Sequence, residues 1–435
     1  SDQSGISVSS AGDINGDGVD DLIIGTLGAD PNGTNSGASY VVFGSEQEFS
    51  STLNLSTLDG NNGFRIDGIA TFDGSGFSVS SAGESNGDGL DDLIIGAFGA
   101  APNGRDSGAS YVVFGNEGGF SSTLNPSSLN GSNGFRIDGI DEGDLSGRSV
   151  SSAGDINSDG FDDLILGTPY ADPNDNADSG PSYVVFGNGS GFSNSLNLSA
   201  LNGSNGFRID GVAARDYSSY SVSSAGDING DGVDDLILGA DGVATNGRDS
   251  GASYVIFGRE GGFSSTLNPS SLNGSNGFRI DGVAEGDLSG FSVSSAGDIN
   301  SDGIDDLIIG AIGADPNGSD SGASYVVFGR RANQAPTIVT NSVVNMPENT
   351  TLVVDVEATD DSSSEGNGLT YSLSGGNDQA LFTIDATTGV LSFISTPDFE
   401  NPLDVGNDNG YAVEVTVTDA GGLSAAQLFT ITVTD

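Results

Sequence analysis

The sequence predicts an all-β protein, a β-propeller array of about five blades followed by a β-sandwich, and three observations carry that expectation. An acidic phrase opens at Asp13 (DINGDGVDD) and recurs at Glu84 (ESNGDGLDD), Asp155 (DINSDGFDD), Asp227 (DINGDGVDD) and Asp298 (DINSDGIDD). The spacings are 71, 71, 72 and 71 residues, so one supersecondary unit has been copied with almost no insertion, at a period longer than most solenoid repeats. Each unit also holds four short strand-like stretches separated by Gly, Asn and Ser turns. Finally, the repeat stops after Arg330 and Arg331, where ANQAPTIVTNSVV opens a region of different spacing.

In the second copy the four stretches are GFRIDGI from Gly63, GFSVSSAG from Gly76, DDLIIGA from Asp91 and GASYVVFG from Gly108. The first alternates Phe64 and Ile66 with Arg65 and Asp67. Leu93 to Ile95 is apolar throughout and is expected to be buried on both faces, as between stacked blades. A longer connection such as NEGGFSSTLNPSSLNGSN, from Asn116, is expected to lie on a blade edge through its Leu and Phe residues, without regular structure. With GFRIDG taken as the opening strand there are five acidic loops and five YVVFG or YVIFG strands but four FRIDG strands, and the first unit is the one expected to lack it. The array is therefore not visibly closed. Residues 1–330 are read as the propeller, 331–336 as a linker containing Pro336, and 337–435 as a second all-β domain of sandwich size, ending on the strand AAQLFTITVTD.

Composition restricts the chemistry. Acidic residues number 61 against 11 basic ones, all arginine, and the formal charge of −50 argues against nucleic acid and anionic membrane surfaces and points to cations as partners. Cysteine, histidine, lysine and tryptophan are absent, which removes disulfides, zinc fingers, Cys/His nucleophiles, a Ser-His-Asp triad and Schiff-base lysines. An acidic, disulfide-free chain rich in Gly and Asn is expected to be secreted. No apolar run approaches the roughly 18 residues of a transmembrane helix, and the opening SDQSG is read as that of a processed chain or fragment.

The acidic phrase is built to hold a metal. Counting from its first acid, side-chain oxygens fall at positions 1, 3, 5 and 9, and position 7 can offer its carbonyl. The resulting ligand sets are Asp13, Asn15, Asp17, Val19 and Asp21 (loop 13–21); Glu84, Asn86, Asp88, Leu90 and Asp92 (84–92); Asp155, Asn157, Asp159, Phe161 and Asp163 (155–163); Asp227, Asn229, Asp231, Val233 and Asp235 (227–235); and Asp298, Asn300, Asp302, Ile304 and Asp306 (298–306). Glycine at position 6 permits the sharp reversal that lets a short segment wrap a sphere of oxygens, the ligand type Ca2+ prefers. Magnesium, which keeps several waters, suits the set less well. Position 12, a bidentate glutamate in an EF-hand, is Ile24, Ile95, Leu166, Leu238 or Ile309, so these are not EF-hands. Position 9 instead closes the site directly before a strand. A hairpin turn alone would need two Asn, Asp or Gly residues, not seven. The neighbouring Asp20 is expected to face solvent or cap the turn.

FSVSSAGDINSDGIDDLIIGA, Phe291 to Ala311, resembles the FG-GAP repeat of integrin alpha-chain β-propellers, and the likeness recurs five times over residues 1 to about 330. Gly167-Thr168-Pro169 comes nearest to the Gly-Ala-Pro element. Because integrin propellers have seven blades, five imply a truncation or an open arc. The resemblance implies structural calcium on one rim and partner binding on the opposite face. Residues 334 to 435 resemble a cadherin repeat through Pro347 to Asn349, Ala358 to Asp361, Asp398 to Glu400 and the closing ITVTD strand. That likeness implies a calcium site of Glu348, Asp398 and Glu400 at the junction with a following repeat, its remaining ligands lying beyond Asp435. It also implies that Asp360 faces the preceding junction, where Ser362 replaces a second aspartate and Arg330, Arg331, Asn333 and Gln334 stand in place of acids.

The function these readings favour is a calcium-stabilised extracellular adhesion or surface-scaffold protein with a protein or glycan partner on the cell surface or matrix. The alternatives are a polysaccharide binder, with ten tyrosines offering stacking faces, and a carbohydrate-active enzyme using an Asp/Glu pair. The acids repeat instead of converging, and the departures from the repeat (Glu84, Pro181, ARDYSSY from Ala214) assemble no catalytic constellation, so no enzymatic activity is expected.

Overall fold

A computed structural model describes residues 2–173, 177–331, 333–361 and 363–435. It is all-β among the described residues, with short 3-10 turns and no α-helix, and it divides into two compact units, 1–331 and 332–435.

Among the described residues the first unit holds five sheets, each built on antiparallel neighbours, its strands numbered in chain order. Blade 1 is formed by β1 (Ser4–Gly12), β2 (Asp21–Thr26), β3 (Ala38–Val42) and β4 (Gly63–Asp67). Blade 2 comprises β5 (Val79–Gly83), β6 (Asp92–Ala97), β7 (Ala109–Val113) and β9 (Gly134–Asp138), and blade 3 comprises β10 (Ser149–Gly154), β11 (Asp163–Gly167), β12 (Ser182–Val185) and β14 (Gly206–Ile209). Blade 4 is β15 (Ser221–Gly226), β16 (Asp235–Ala240), β17 (Ala252–Ile256) and β19 (Gly277–Asp281). Blade 5 has three strands, β20 (Ser289–Gly297), β21 (Asp306–Ala311) and β22 (Ala323–Val327).

This arrangement corrects the unit boundary expected from the sequence. The FRIDG strand closes the blade it follows and does not open the next one. In blade 1, Tyr40 sits opposite Arg65 and Val41 opposite Phe64, so the blade without a fourth strand is the last and not the first. The connection between third and fourth strands is also more regular than expected. Its apolar residues do tack it to the preceding blade, where Phe120, Phe192 and Phe263 stack on Phe64, Phe135 and Phe207 with ring centroids 4.2 Å apart. The same segments contribute two or three residues of strand, β8 (Thr123–Leu124), β13 (Ser195–Asn197) and β18 (Thr266–Leu267), each parallel to the outermost strand of the preceding blade.

Alternation along the strands produces the stacking. In the central strand one residue points forward and its neighbours backward, so Ile23, Val41 and Phe64 of blade 1 meet Val79, Leu93 and Ile95 of blade 2 in one buried cluster. The same contact recurs between blades 2 and 3, 3 and 4, and 4 and 5. Leu93, Ile94 and Ile95 are all buried, and each such side chain contributes about 1.5–3 kcal/mol. Among the described residues no cluster joins blade 5 to blade 1. Val8 and Leu22 of the first blade are 66% and 56% exposed, and Val326 of the last is 44% exposed. Among the described residues the array is not closed.

In the second unit β24 (Val343–Pro347), β31 (Ser424–Thr434), β30 (Gly410–Thr418) and β27 (Thr370–Gly375) form one sheet, and β25 (Leu352–Asp355), β29 (Val390–Phe393) and β28 (Phe382–Ile384) form another. A two-stranded ladder of β23 (Thr337–Ile338) and β26 (Ala358–Thr359) accompanies them. Val413, Val415 and Val417, alternate residues of β30, face Phe382, Leu391 and Phe393 in a common core.

Candidate metal sites

Each acidic loop joins the first strand of a blade to the second, immediately after a bulge. The bulge glycine has φ near +60° in every copy (Gly12, Gly83, Gly154, Gly226, Gly297), a conformation that favours glycine. In the first four copies it also passes against the neighbouring blade, where a Cβ on Gly83 would lie 2.2 Å from Asp162 Oδ2. On Gly297, which has no following blade, a Cβ would meet nothing within 4 Å.

The first acid organises the loop. Asp13 Oδ1 accepts from Gly16 N–H and Asp17 N–H at 2.8 and 3.0 Å, and its Oδ2 accepts from Gly18 N–H at 2.8 Å. Asp155, Asp227 and Asp298 accept from the position 6 glycine in the same way. Asp17 Oδ1 accepts from Val19 N–H, which turns the loop tightly. Ser158 and Ser301 adopt left-handed backbone (φ +58° and +63°) at position 4, where the other copies carry glycine.

Position 9 lies deepest. Asp92, Asp163, Asp235 and Asp306 are fully buried and Asp21 is nearly so. Burial pushes the Asp163 carboxyl up to about 9; the Gly187 amide partly offsets this and the charges of Asp159 and Asp155 add to it. Burial likewise pushes Asp235 up to about 8, Asp92 to about 7 and Asp21 to about 6. The charges at positions 5 and 1 contribute at Asp21, Asp163 and Asp235, and the Asp88 charge contributes at Asp92. The structure therefore brings three carboxylates of one loop within electrostatic reach of one another.

The residues present suit a calcium ion, and the unsatisfied atoms are where such an ion would need ligands. In the third loop Asn157 Oδ1 and Asp163 Oδ2 are buried without a hydrogen-bond partner, as is Asn229 Oδ1 in the fourth. Buried oxygens left in this way are costly. The second loop differs. Its Asp92 accepts from Ser85 N–H, Ser85 Oγ–H, Asn86 Nδ2–H and Gly115 N–H, so its oxygens are occupied. Glu84 holds Gly87 and Asp88 through Oε1 alone.

The sequence reading missed the role of position 8. Asp91 Oδ2 accepts from Asp13 N–H across the seam at 2.8 Å, and Asp162, Asp234 and Asp305 do the same for Glu84, Asp155 and Asp227. Each of the first four loops is thereby fastened to the next blade. Asp20, in the first blade, holds no such amide among the described residues. Its recurrence beside position 9 was the available signal, but a cross-blade partner about 78 residues away in the chain has no local signature.

A second missed residue is Arg148, which stands where other copies carry Phe77, Tyr220 and Phe291. Its guanidinium lies 5.0 Å from the Phe77 ring centroid, 4.7 Å from that of Tyr220 and 5.8 Å from that of Tyr170, and it donates to Tyr220 Oη at 2.6 Å.

In the second unit Glu348, Asp398 and Glu400 come together, with one oxygen from each within 4.8 Å of the others. Glu348 Oε2 also accepts from Phe399 N–H at 2.8 Å. Asp360 is not part of this group. Ser362 lies outside the described residues.

Comparison with known proteins agrees with this architecture. The FG-GAP repeat family matches residues 4–42, 146–185, 219–256 and 289–327, and the cadherin domain family matches residues 342–434. Integrin alpha pat-2 of Caenorhabditis elegans is 27% identical over 253 residues, covering 53% of this chain and 17% of that protein. Integrin alpha-PS5 of Drosophila melanogaster is 34% identical over 171 residues, covering 39% of this chain and 15% of that protein. Halomucin of Haloquadratum walsbyi is 36% identical over 98 residues, 21% of this chain and 1% of its own length. The chain thus spans less than a fifth of the length of these relatives. It is an array of integrin alpha-like FG-GAP repeats within residues 4–327 followed by a cadherin domain at 342–434.

Proposed function

We propose that this chain is a calcium-loaded, extracellular adhesion or surface-scaffold module in which ions at five loops brace an arc of blades. The observation that carries this reading is the buried acid at position 9, set with unsatisfied Asn157 and Asp163 oxygens in a loop fastened across the seam. Positions 1, 3, 5 and 9 and the position 7 carbonyl would hold the ion. A bound divalent cation supplies the positive charge these acids lack. Asp13, Asp155, Asp227 and Asp298 shape the loop through their amide contacts, while Asp91, Asp162, Asp234 and Asp305 carry that order to the adjacent blade. In the cadherin domain Glu348, Asp398 and Glu400 would form part of a further site.

The role is binding and not catalytic. Apart from carboxylates the composition lacks the usual nucleophile and base pairs, and integrin-like and cadherin-like domains are typically non-catalytic. No helix is long and apolar enough to cross a membrane among the described residues. The protein should be stabilised by calcium at about 10⁻⁴–10⁻³ M, the range of extracellular modules, by the mass-action increment of any ligand specific to the folded state. Native mass spectrometry with scanning calorimetry tests this: about five ions in the blade unit and a calcium-raised melting temperature are expected, and an unchanged melting temperature after chelation refutes it. A second reading, polysaccharide binding, is favoured by the Tyr170, Tyr217 and Tyr220 group beside Arg148. A glycan array with a turnover assay separates the two.

A further inference from the structure

In three copies the connection after the third strand lays one face of a phenylalanine on the preceding blade: Phe120 on Phe64, Phe192 on Phe135 and Phe263 on Phe207, each at 4.2 Å. Four residues before that phenylalanine stands Asn116, Asn188 or Arg259. The backbone holds this residue alike in all three, its N–H donating to a carbonyl of the preceding blade's acidic loop, that of Ile14, Ser85 or Ile156. Its side chain reaches one acceptor as well, the carbonyl of the glycine three residues on. Asn116 Nδ2 donates to Gly119 at 2.7 Å, Asn188 Nδ2 to Gly191 at 3.2 Å and Arg259 Nε to Gly262 at 3.1 Å.

The copies differ at the second face of the ring. The Arg259 guanidinium lies 4.5 Å from the Phe263 ring centroid, and Phe263 is 8% exposed. Asparagine is too short to cross the ring, and Phe120 and Phe192 are half-buried. Beside them lie cavities of about 390 and 380 Å³. The first is lined by Asn116, Gly119 and Phe120, and the second by Asn188, Gly191 and Phe192 with the carboxylate of Asp159. The face of a phenylalanine ring carries the negative part of its quadrupole, and a carbonyl already holding one bond has a second lone pair to offer. Each cavity therefore presents the chemistry that the fourth blade satisfies with its own arginine.

We infer that the cavities beside Phe120 and Phe192 are binding sites for guanidinium cations, one group to each, lying over the ring as Arg259 lies over Phe263. A flat, weakly hydrated guanidinium stacks on the ring and directs an N–H to the glycine carbonyl at the same time, which a compact, strongly hydrated ammonium does less well. The formal charge of −50 draws cations to this surface. Because a ring and a backbone carbonyl make the site, it stands or fails independently of calcium in the acidic loops.

The test follows phenylalanine ring signals of the full chain by NMR during titration with N-acetylarginine amide. Phe120 and Phe192 should shift and Phe263 should not. N-acetylcitrulline amide, the neutral isostere, should bind about two- to thirtyfold more weakly, the equivalent of a lost cation–π contact. Arg259→Asn should open a third site, so that Phe263 joins the responding rings, and Asn188→Arg should fill the second cavity and silence Phe192 alone; unchanged signals elsewhere show that each variant folds. A Gly-Gly-Arg-Gly-Gly peptide that shifts the same two rings supports the site with a polypeptide arginine as the source, and shifts from methylguanidinium with none from the peptide support it with a free small cation. Three results overturn the inference: no shift of either ring with any guanidinium probe, an equal response to the citrulline compound, or an Arg259→Asn protein whose Phe263 stays unresponsive.

Discussion

Replacing Asp163 by asparagine should raise the stability of the calcium-free protein and remove the benefit calcium confers on the third loop. Burial holds this carboxyl at about 9, against an ordinary 3.8. The folded pKa lies above the unfolded one, so the group penalises folding increasingly as pH rises from 3.8, and the penalty levels off above 9. At pH 7 it amounts to about 4 kcal/mol at 1.36 kcal/mol per pH unit. Asparagine carries no such penalty. Its Oδ1 keeps the Gly187 N–H bond, and its amide nitrogen replaces the oxygen that has no partner. A buried amide has its own desolvation cost of about 1–3 kcal/mol, which leaves a net gain of about 1–3 kcal/mol. With calcium the sign reverses, since the site has lost a formal charge and an oxygen ligand. Scanning calorimetry of both proteins in chelator and in millimolar calcium measures the crossing. A variant that melts below wild type in chelator, yet gains as much as wild type from calcium, would refute the reasoning.

Glu84→Asp should tighten the second site and Asp155→Glu should weaken the third, each by about two- to tenfold, the equivalent of the rotamer strain imposed by one extra methylene; site-resolved calcium titration decides, and a wild-type second site already as tight as the others would count against it. Gly83→Ala should destabilise more than Gly297→Ala, because both strain a left-handed backbone but only the first drives a Cβ into Asp162 across a seam; equal losses on chemical unfolding would show that the seam yields. In chelator, stability should rise as pH falls from 7 to 5. Burial holds Asp144 and Asp241 up at about 6, so each contributes stability when protonated and loses it as pH climbs through 6, about 1 kcal/mol per group over that window. A melting temperature that falls on acidification would contradict this.

The repeat, the strands and the position of each acid were legible because they are local: alternation of period two, a glycine at position 6, an acid immediately before Leu-Ile. The blade boundary was not. GFRIDG is followed within about ten residues by GFSVSSAG, and sequence proximity favours placing the two strands in one blade. The geometry places it with β3 instead, because Phe64 is buried between Phe43 and Phe120 and because the preceding connection is long enough to bring the strand back along that edge. Asp91 was equally hidden. Its role exists only after two blades stack, when the N–H of Asp13 faces it. The cluster of Glu348, Asp398 and Glu400 was anticipated by resemblance, not by spacing, since about fifty residues separate the first acid from the others.

The charge of the chain and the geometry of the seams lead to one dependence. Of eleven arginines, Arg65, Arg136, Arg208 and Arg279 are paired with the aspartate two residues on, and Arg105 and Arg248 with the aspartate beside them. None of these ion pairs involves a position 1, 5, 8 or 9 acid of a loop. Under the proposed calcium reading the loops rely on other cations for relief, and the need is unequal. The second loop satisfies its deepest carboxylate with Ser85, Asn86 and Gly115, whereas the third leaves one oxygen of Asp163 and one of Asn157 unsatisfied. Like the second and fourth, the third loop is fastened on both sides: Asp162 accepts from Glu84 N–H of blade 2, and Asp155 N–H is held by Asp234 of blade 4. Disorder there reaches two seams at once. On gradual chelation, hydrogen exchange should accordingly rise first along β10 and β11 and in the loops flanking them, and last in the cadherin domain, whose core contains no loop acid. Uniform exchange across all five blades would show instead that the arc loses its calcium and its seams as a single cooperative unit.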